Sequence, residues 1–297
     1  MNKNSEDNWL YTISPKRKLI DINFEEIWLY RDLLILFVKR DIITVYKQTI
    51  LGPLWYFIQP LFTSVIFTLI FNNLADIKTG EGVPPFLFNL AGITCWNYFK
   101  ECLTGTSDTF KKNQGIFGKV YFPRVVMPIS IVITNLVKYG IQLIVFICFY
   151  SYFIWFSDLA FNVSPGRSIV LLPVLIFVMA ILGLGLGMII SSMTTKYRDL
   201  TFLVTFGVQL LMYASAVMYP LELIRTKTLQ GSIPRIAGLI IEYNPMTIVI
   251  EAFRHMTIGT GEFTLQGMLY VILVSLAIFL IGLIIFNKTE KSFIDTV

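Results

Sequence analysis

Few side chains in this sequence could carry covalent or acid–base chemistry. The one histidine, His255, follows Glu251 and Arg254 at i, i+3, i+4 spacing. On a helix that spacing places a carboxylate, a guanidinium and an imidazole on one face. An acid–base site could be built from them, and so could a salt-bridged structural face. Three cysteines (Cys95, Cys102 and Cys148) lie inside apolar runs without metal-ligand spacing, which makes them small packing residues. Gly183, Gly185 and Gly187 superficially suggest a nucleotide loop, but they sit inside an apolar run, where small residues let helices approach closely. The P-loop pattern is missing. Its nearest approach, Gly115-Ile116-Phe117-Gly118-Lys119-Val120, has the wrong spacing and no hydroxyl residue.

Neutral polar groups are better placed than reactive ones. Tyr56, Gln59, Thr63 and Phe67 recur at helical spacing in one apolar run, and Thr201, Thr205, Gln209 and Tyr213 do so in another. Amides and hydroxyls inside a membrane need partners, which an interior face supplies. A path lined by aromatics and amides suits sugars, whose CH faces stack on rings and whose hydroxyls need hydrogen bonds. The bland alternative is helix–helix contact.

The elements that carry these residues follow from composition. The chain is 55% apolar, 15% aromatic and 14% charged, with mean hydropathy +0.69. This is the signature of an integral membrane protein. Six spans of about the length needed to cross hydrocarbon are predicted: Leu54–Asn73, Phe86–Thr106, Val125–Phe153, Ile169–Met193, Leu200–Tyr219 and Phe263–Phe286. The third is long enough to be tilted. Residues 1–23 read as a flexible polar tail and 287–297 as a polar C-terminus, and the late, long first apolar run predicts no cleavable signal peptide.

Before the first span, residues 24–51 predict an interfacial amphipathic helix. Glu25, Asp32, Lys39, Arg40 and Lys47 gather on one face, with Ile27, Leu34, Phe37, Val38 and Val45 opposite. Arg31 and Asp41 break the apolar face, so an interruption is expected near Arg40. Gly52-Pro53 redirects the chain. The segment 220–262 is too long for a turn and too apolar for a free loop. Punctuated by Pro220, Pro234 and Pro245, it predicts two short re-entrant helices on the outer side, tolerated only against protein or water.

The net charge of +5 invites a nucleic-acid reading, but the basic residues flank apolar runs. Sixteen Lys/Arg fall on one side of the predicted spans and six on the other. The positive-inside rule then places both termini in the cytoplasm. Lys100, Glu101 and Lys138 fall within spans. A charge there is a functional candidate by default, although Lys100 and Glu101 lie near a span end, where snorkelling is cheap.

Five blocks together resemble the ABC-2 type of ABC exporter permease, in the branch that exports polysaccharides (O-antigen or capsule) and teichoic acids. They are Arg40-Asp41 with Tyr46 to Thr49 and Leu51 to Trp55; Val120-Tyr121-Phe122-Pro123-Arg124 with Pro128; Tyr197-Arg198-Asp199; Tyr219-Pro220; and Asn244-Pro245 with Glu251, Phe253 and Arg254. The resemblance covers nearly all of residues 24–297, which it makes one permease domain. It implies an all-α fold of six transmembrane helices with a cytoplasmic amphipathic helix and re-entrant outer helices. It implies location in the cytoplasmic (inner) membrane and a second copy of the chain. It also implies two separate ATPase subunits, which bind the ATP and Mg while this chain holds no cofactor and no metal. The implied ATPase-docking residues are Arg40, Asp41, Lys111, Lys112, Gly115, Phe117, Lys119 and Tyr121. The implied channel lining is Tyr56, Gln59, Thr63, Phe67, Thr205, Gln209 and Tyr213, and the implied outer gate is Tyr219, Pro220, Asn244, Pro245, Glu251 and Arg254. The partners would be a lipid-linked glycan and membrane lipids, with no nucleic acid. The alternatives are a permease for a small hydrophobic drug or lipid, and a membrane acyl- or glycosyltransferase centred on Glu251, Arg254 and His255.

Overall fold

The structure is a computed structural model, and it describes residues 24–47, 52–80, 82–117, 122–156, 167–197 and 199–294. The tail before Phe24, together with Gly118, Lys119 and Tyr121, lies outside the described residues. Among the described residues the protein is all helix, apart from turns and short connections.

Helices α1 (Phe24–Leu29) and α2 (Arg31–Lys47) precede a short 3-10 turn at Gly52–Leu54. The expected amphipathic helix is therefore interrupted at Tyr30, and it runs unbroken through Arg40. Arg40 and Asp41 pair with each other at 2.8 Å, so neither charge faces the apolar side alone. Helix α3 (Trp55–Phe67) contains Pro60 and continues into a π-helical segment, Thr68–Leu74. Asn89 on the next helix donates to Asn72 Oδ1 (2.8 Å) and to Thr68 Oγ1 (3.1 Å), which fixes that widened end.

Helices α4 (Pro85–Ser107), α5 (Thr109–Phe117), α6 (Val126–Phe156), α7 (Leu172–Lys196) and α8 (Leu200–Tyr213) follow. Three short helices come next, namely α9 (Leu221–Leu229), α10 (Arg235–Glu242) and α11 (Pro245–Ile258), and then the long α12 (Leu265–Ile294). The segment 220–262 thus holds three helices where two were expected.

Among the described residues, four helical stretches are long and apolar enough to cross a membrane: Trp55–Leu74, Val126–Phe156, Ser168–Lys196 and Leu265–Thr289. The bent pair α10–α11, with 60° between its halves, would make a fifth. Two expected spans differ from this pattern. Helix α4 has the length, but it carries Asn89, Asn97, Lys100 and Glu101. Most of its side chains are buried against protein, so it does not need a lipid-like composition. Helix α8 stops at Tyr213 instead of reaching Tyr219, and its 14 residues span only about 21 Å.

Helix α7 is the packing axis, with α4 on one side and α12 on the other. Its alternating glycines explain this. A Cβ on Gly183 would meet Cys102 Cβ at 2.8 Å, and one on Gly187 would meet Thr106 Cβ at 2.5 Å, both on α4. A Cβ on Gly185 would instead meet Phe279 Cα of α12 at 2.7 Å. Two residues turn a helix by about 200°, so the middle glycine serves the opposite neighbour. Gly282 of α12 completes that contact against the Gly185 carbonyl. The Gly-x-Gly-x-Gly run is a helix-packing device.

A main core joins α4, α6, α7, α11 and α12 around Trp96, Phe99, Met179 and Phe253. A second core sits at the end where α2 and α5 lie. Phe37, Phe110, Phe117 and Phe122 pack there with Met188, Leu283 and Phe286.

Candidate functional site

The outer-segment residues converge on the chain break after α8. Asn244 caps α11 by accepting from the Met246 N–H at 3.0 Å. Its amide nitrogen donates to the Ala214 carbonyl at 2.9 Å and to Ser215 Oγ at 3.0 Å. Arg254, two and a half turns along α11, donates to the carbonyls of Ala216 (2.8 Å) and Val217 (2.6 Å) and to Glu251 at 3.0 Å. Its guanidinium lies 3.5 Å from the Phe88 ring centroid and is fully buried. Gly92 leaves room for it, since a Cβ there would meet Val217 O at 2.6 Å. Ala216 is held at φ 49°, a conformation a non-glycine residue adopts only where its surroundings impose it. Tyr219 closes the turn by donating to the Tyr213 carbonyl at 2.5 Å, and Pro220 starts α9. All six expected gate residues therefore gather around residues 213–220.

The acid–base reading of this region does not fit the geometry. His255 turns away, contacting the Gly261 carbonyl at 3.2 Å and stacking on Phe263. Glu251 and Arg254 are spent on each other and on backbone. Farther out, Arg225 bridges Glu242 and Glu262, at 2.8 Å and 2.5 Å, and so ties α9 to α10 and to the loop before α12. Partial burial pulls the Arg225 pKa down, but bonding to the two carboxylates outweighs it and holds the value above the usual arginine range.

The two polar stripes do not face each other within one chain. Helix α3 packs on α4 and α6, whereas α8 packs lightly on α7 and α4. Thr205, Gln209 and Tyr213 are exposed on α8 beside Phe202 and Phe206. Thr205 spends its hydroxyl on the Thr201 carbonyl (3.0 Å), and Thr63 spends its own on the Gln59 carbonyl (2.8 Å). Phe67 packs edge-on against Phe71.

Tyr56 and Gln59 instead border a polar cavity of about 210 Å³ between α3, α4 and α6. Helix α4 contributes Asn97, Lys100 and Glu101, and α6 contributes Asn135, Lys138 and Gln142. Lys100 and Glu101 pair at 3.6 Å, so they line this cavity instead of reaching along a lipid face. The Lys138 ammonium lies 5.4 Å from the Tyr56 ring centroid. The grouping was readable in part: Asn135, Lys138 and Gln142 recur at i, i+3, i+7, and Asn97, Lys100 and Glu101 at i, i+3, i+4.

Of the expected docking residues, Lys111, Lys112 and Gly115 lie exposed on α5. Lys112 pairs with Asp108 at 2.9 Å. Arg40 lies 5.0 Å from the Phe37 ring centroid. Phe117 is different. It is buried against Phe110 and Phe122 with the Arg124 guanidinium over its ring, so it anchors α5 instead of presenting to a partner. Phe110 stacks on Phe286 at 4.6 Å. Through Phe37 and these rings, α2 and α5 are joined to α6, α7 and α12.

Comparison with known proteins gives this arrangement a family. Over 267 residues the chain is 27% identical to the O-antigen export system permease protein RfbA of Klebsiella pneumoniae, covering 89% of this chain and 94% of that protein. It is 26% identical over 230 residues to the Myxococcus xanthus protein of the same name, covering 77% and 81%. The family described as ABC-2 type transporter matches residues 32–258. The match takes in α2, the polar cavity and the Arg254 node together, and the chain is a membrane subunit of the ABC-2 type transporter family.

Proposed function

We propose that the chain is the permease subunit of an ATP-driven exporter that moves a lipid-linked polysaccharide, of the O-antigen kind, outward across the cytoplasmic membrane. Two copies form the path, and two ATP-binding subunits drive it from the cytoplasmic side, where they bind ATP and Mg. The observation that carries this reading is the outward direction of the α8 stripe and of much of α3. Exposed Gln209 and Tyr213 sit among exposed apolar rings on α8, a helix with little packing of its own, and Gln59 is exposed on α3 at the edge of the cavity. Amides directed away from a membrane bundle call for protein or an aqueous path to cover them. A second copy supplies both, with the hydroxyl-rich cargo between. The names of the relatives point to the same cargo.

The motor side is the end bearing α2 and α5. Exposed Arg40, Lys111 and Lys112 offer a basic surface there, and the aromatic core beneath links it to three long helices. The excess of basic residues supports a cytoplasmic side for that end and both termini. In this arrangement α4 crosses the membrane sheathed by protein. Helix α8 with the turn after it makes the fifth crossing, and α9–α11 form the re-entrant outer segment, giving six crossings.

The test is genetic and chemical. Removal of the gene should cause an undecaprenyl-linked glycan to accumulate inside the cell, and the wild-type chain should clear it. Cysteines at positions 59 and 209 should form a disulfide between copies. If no lipid-linked glycan accumulates, the assigned cargo is wrong.

A further inference from the structure

We propose that the cavity between α3, α4 and α6 is a binding site for one anionic phosphate headgroup of a lipid, held chiefly by Lys138. The cavity is a built site. Its lining is amide-rich, which suits phosphate oxygens on the Asn97 side. Lys100 and Glu101 neutralise each other at 3.6 Å, whereas Lys138 forms no ion pair among the described residues and rests on the Tyr56 ring. The cavity is therefore left with one positive charge. Gln142 is nine-tenths buried, and its side-chain carbonyl has no hydrogen-bond partner. That carbonyl is an acceptor, so it suits a hydroxyl carried by the headgroup and not a phosphate oxygen.

A lysine that merely snorkels would lie along a lipid-facing helix and reach for the interface. Lys138 instead turns to a ring on α3 across a polar cavity. Its height also fits. Lys138 lies twelve residues into α6, or ~18 Å from the helix start, and the first turn of α6 is buried. Lys100 and Glu101, toward the Ser107 end of α4, line the same cavity, so in the orientation proposed above the site lies in the cytoplasmic half of the membrane. The cavity opens past Trp55 and Gln59, both exposed, so a lipid can enter sideways with its chains outside. Basic pockets between spans on this side of a membrane commonly hold lipid phosphates. Two sources share this chemistry: a resident anionic phospholipid, and the diphosphate that carries the cargo.

The test uses the full chain in phosphatidylcholine nanodiscs. One arm carries photoactivatable phosphatidylglycerol, the other a photoactivatable polyprenyl diphosphate sugar, and a neutral glycolipid serves as competitor. Adducts should map to α3, α4 or α6 near Tyr56, Asn97 and Lys138. Lys138→Gln should lower the yield about tenfold, as for loss of a charge-assisted hydrogen bond, and Lys138→Arg should restore it. Labelling by phosphatidylglycerol alone identifies a resident lipid, and labelling by the diphosphate that phosphatidylglycerol cannot displace identifies the cargo. Wild-type adducts that map elsewhere, or that the neutral glycolipid displaces, overturn the site whether or not Lys138→Gln folds. Equal yield from a folded Lys138→Gln overturns it too. The leaflet assignment rests on the permease reading, but the two fail separately. Lost labelling with export intact leaves the permease standing, and labelling without glycan accumulation leaves the site standing.

Discussion

Replacing Arg254 with methionine should destabilise the packing around residues 213–220. The guanidinium is completely buried, and it holds two backbone carbonyls, one carboxylate and one aromatic face. Methionine keeps much of the volume, so the loss is electrostatic, not a large cavity. Breaking one partner of a buried ion pair costs about 3–5 kcal/mol, because the other charge is left uncompensated. At about 2 °C per kcal/mol for a chain of this size, the melting temperature in detergent should fall by roughly 6–10 °C. Adding Glu251→Gln to Arg254→Met removes the stranded carboxylate and should recover part of the loss. Arg254→Lys keeps the charge but not the fork that spans Ala216 and Val217, so it should fall between. The assay is a size-exclusion thermal melt of the purified chain. If Arg254→Met melts within about 2 °C of wild type, or if the double variant gains nothing over it, the latch reasoning is refuted.

Other outcomes follow from the same contacts. Gly185→Val should destabilise the chain by about 1–3 kcal/mol through forced separation of α7 and α12, whereas Gly115→Ala, in helix α5 with open space around it, should raise stability by up to about 1 kcal/mol. Asn244→Ala loses a helix cap together with the bonds to Ala214 and Ser215, and should cost about 1–2 kcal/mol in the same melt. Phe37→Ala should remove about 3–5 kcal/mol of packing at the α2–α5 end. In the proposed assembly it should also reduce glycan-stimulated ATP turnover by the reconstituted complex more than ATP binding, which a turnover assay and a nucleotide-binding assay separate.

The features legible in the sequence were those with a local cause. Gly183, Gly185 and Gly187 could be read as packing residues because an apolar run leaves little else for them to do. The partners they serve, Cys102 and Thr106 on one side and Phe279 on the other, lie far away in the chain. Pro220 and Pro245 were findable as punctuation of the 220–262 segment. The end of α8 was not, because residues 214–217 look apolar enough to continue a span. What stops them is Asn244 and Arg254, 30 and 38 residues from the carbonyls they bind. Helix α4 shows the converse: its polar residues suggest a frayed or snorkelling end until the surrounding helices appear. Phe117 was a docking side chain only by the family resemblance. Its partners, Phe110 and Phe122, are nearby, but only the fold reveals that the three rings close on one another.

The contact between Gly185 and Gly282 bears on which parts of the molecule can move. Where two backbones meet without side chains between them, no rotamer change can absorb a displacement. Helices α7 and α12, with α4 clasped on the far side by Gly183 and Gly187, must then shift as one block. A change of shape driven from the α2–α5 end falls to the helices held by few neighbours, namely α3, which carries Pro60 and a π-helical stretch, and α8, which ends at the Ala216 turn. In the proposed permease the chain would thus divide into one rigid block and two looser helices, the ones that carry Gln59 and Gln209.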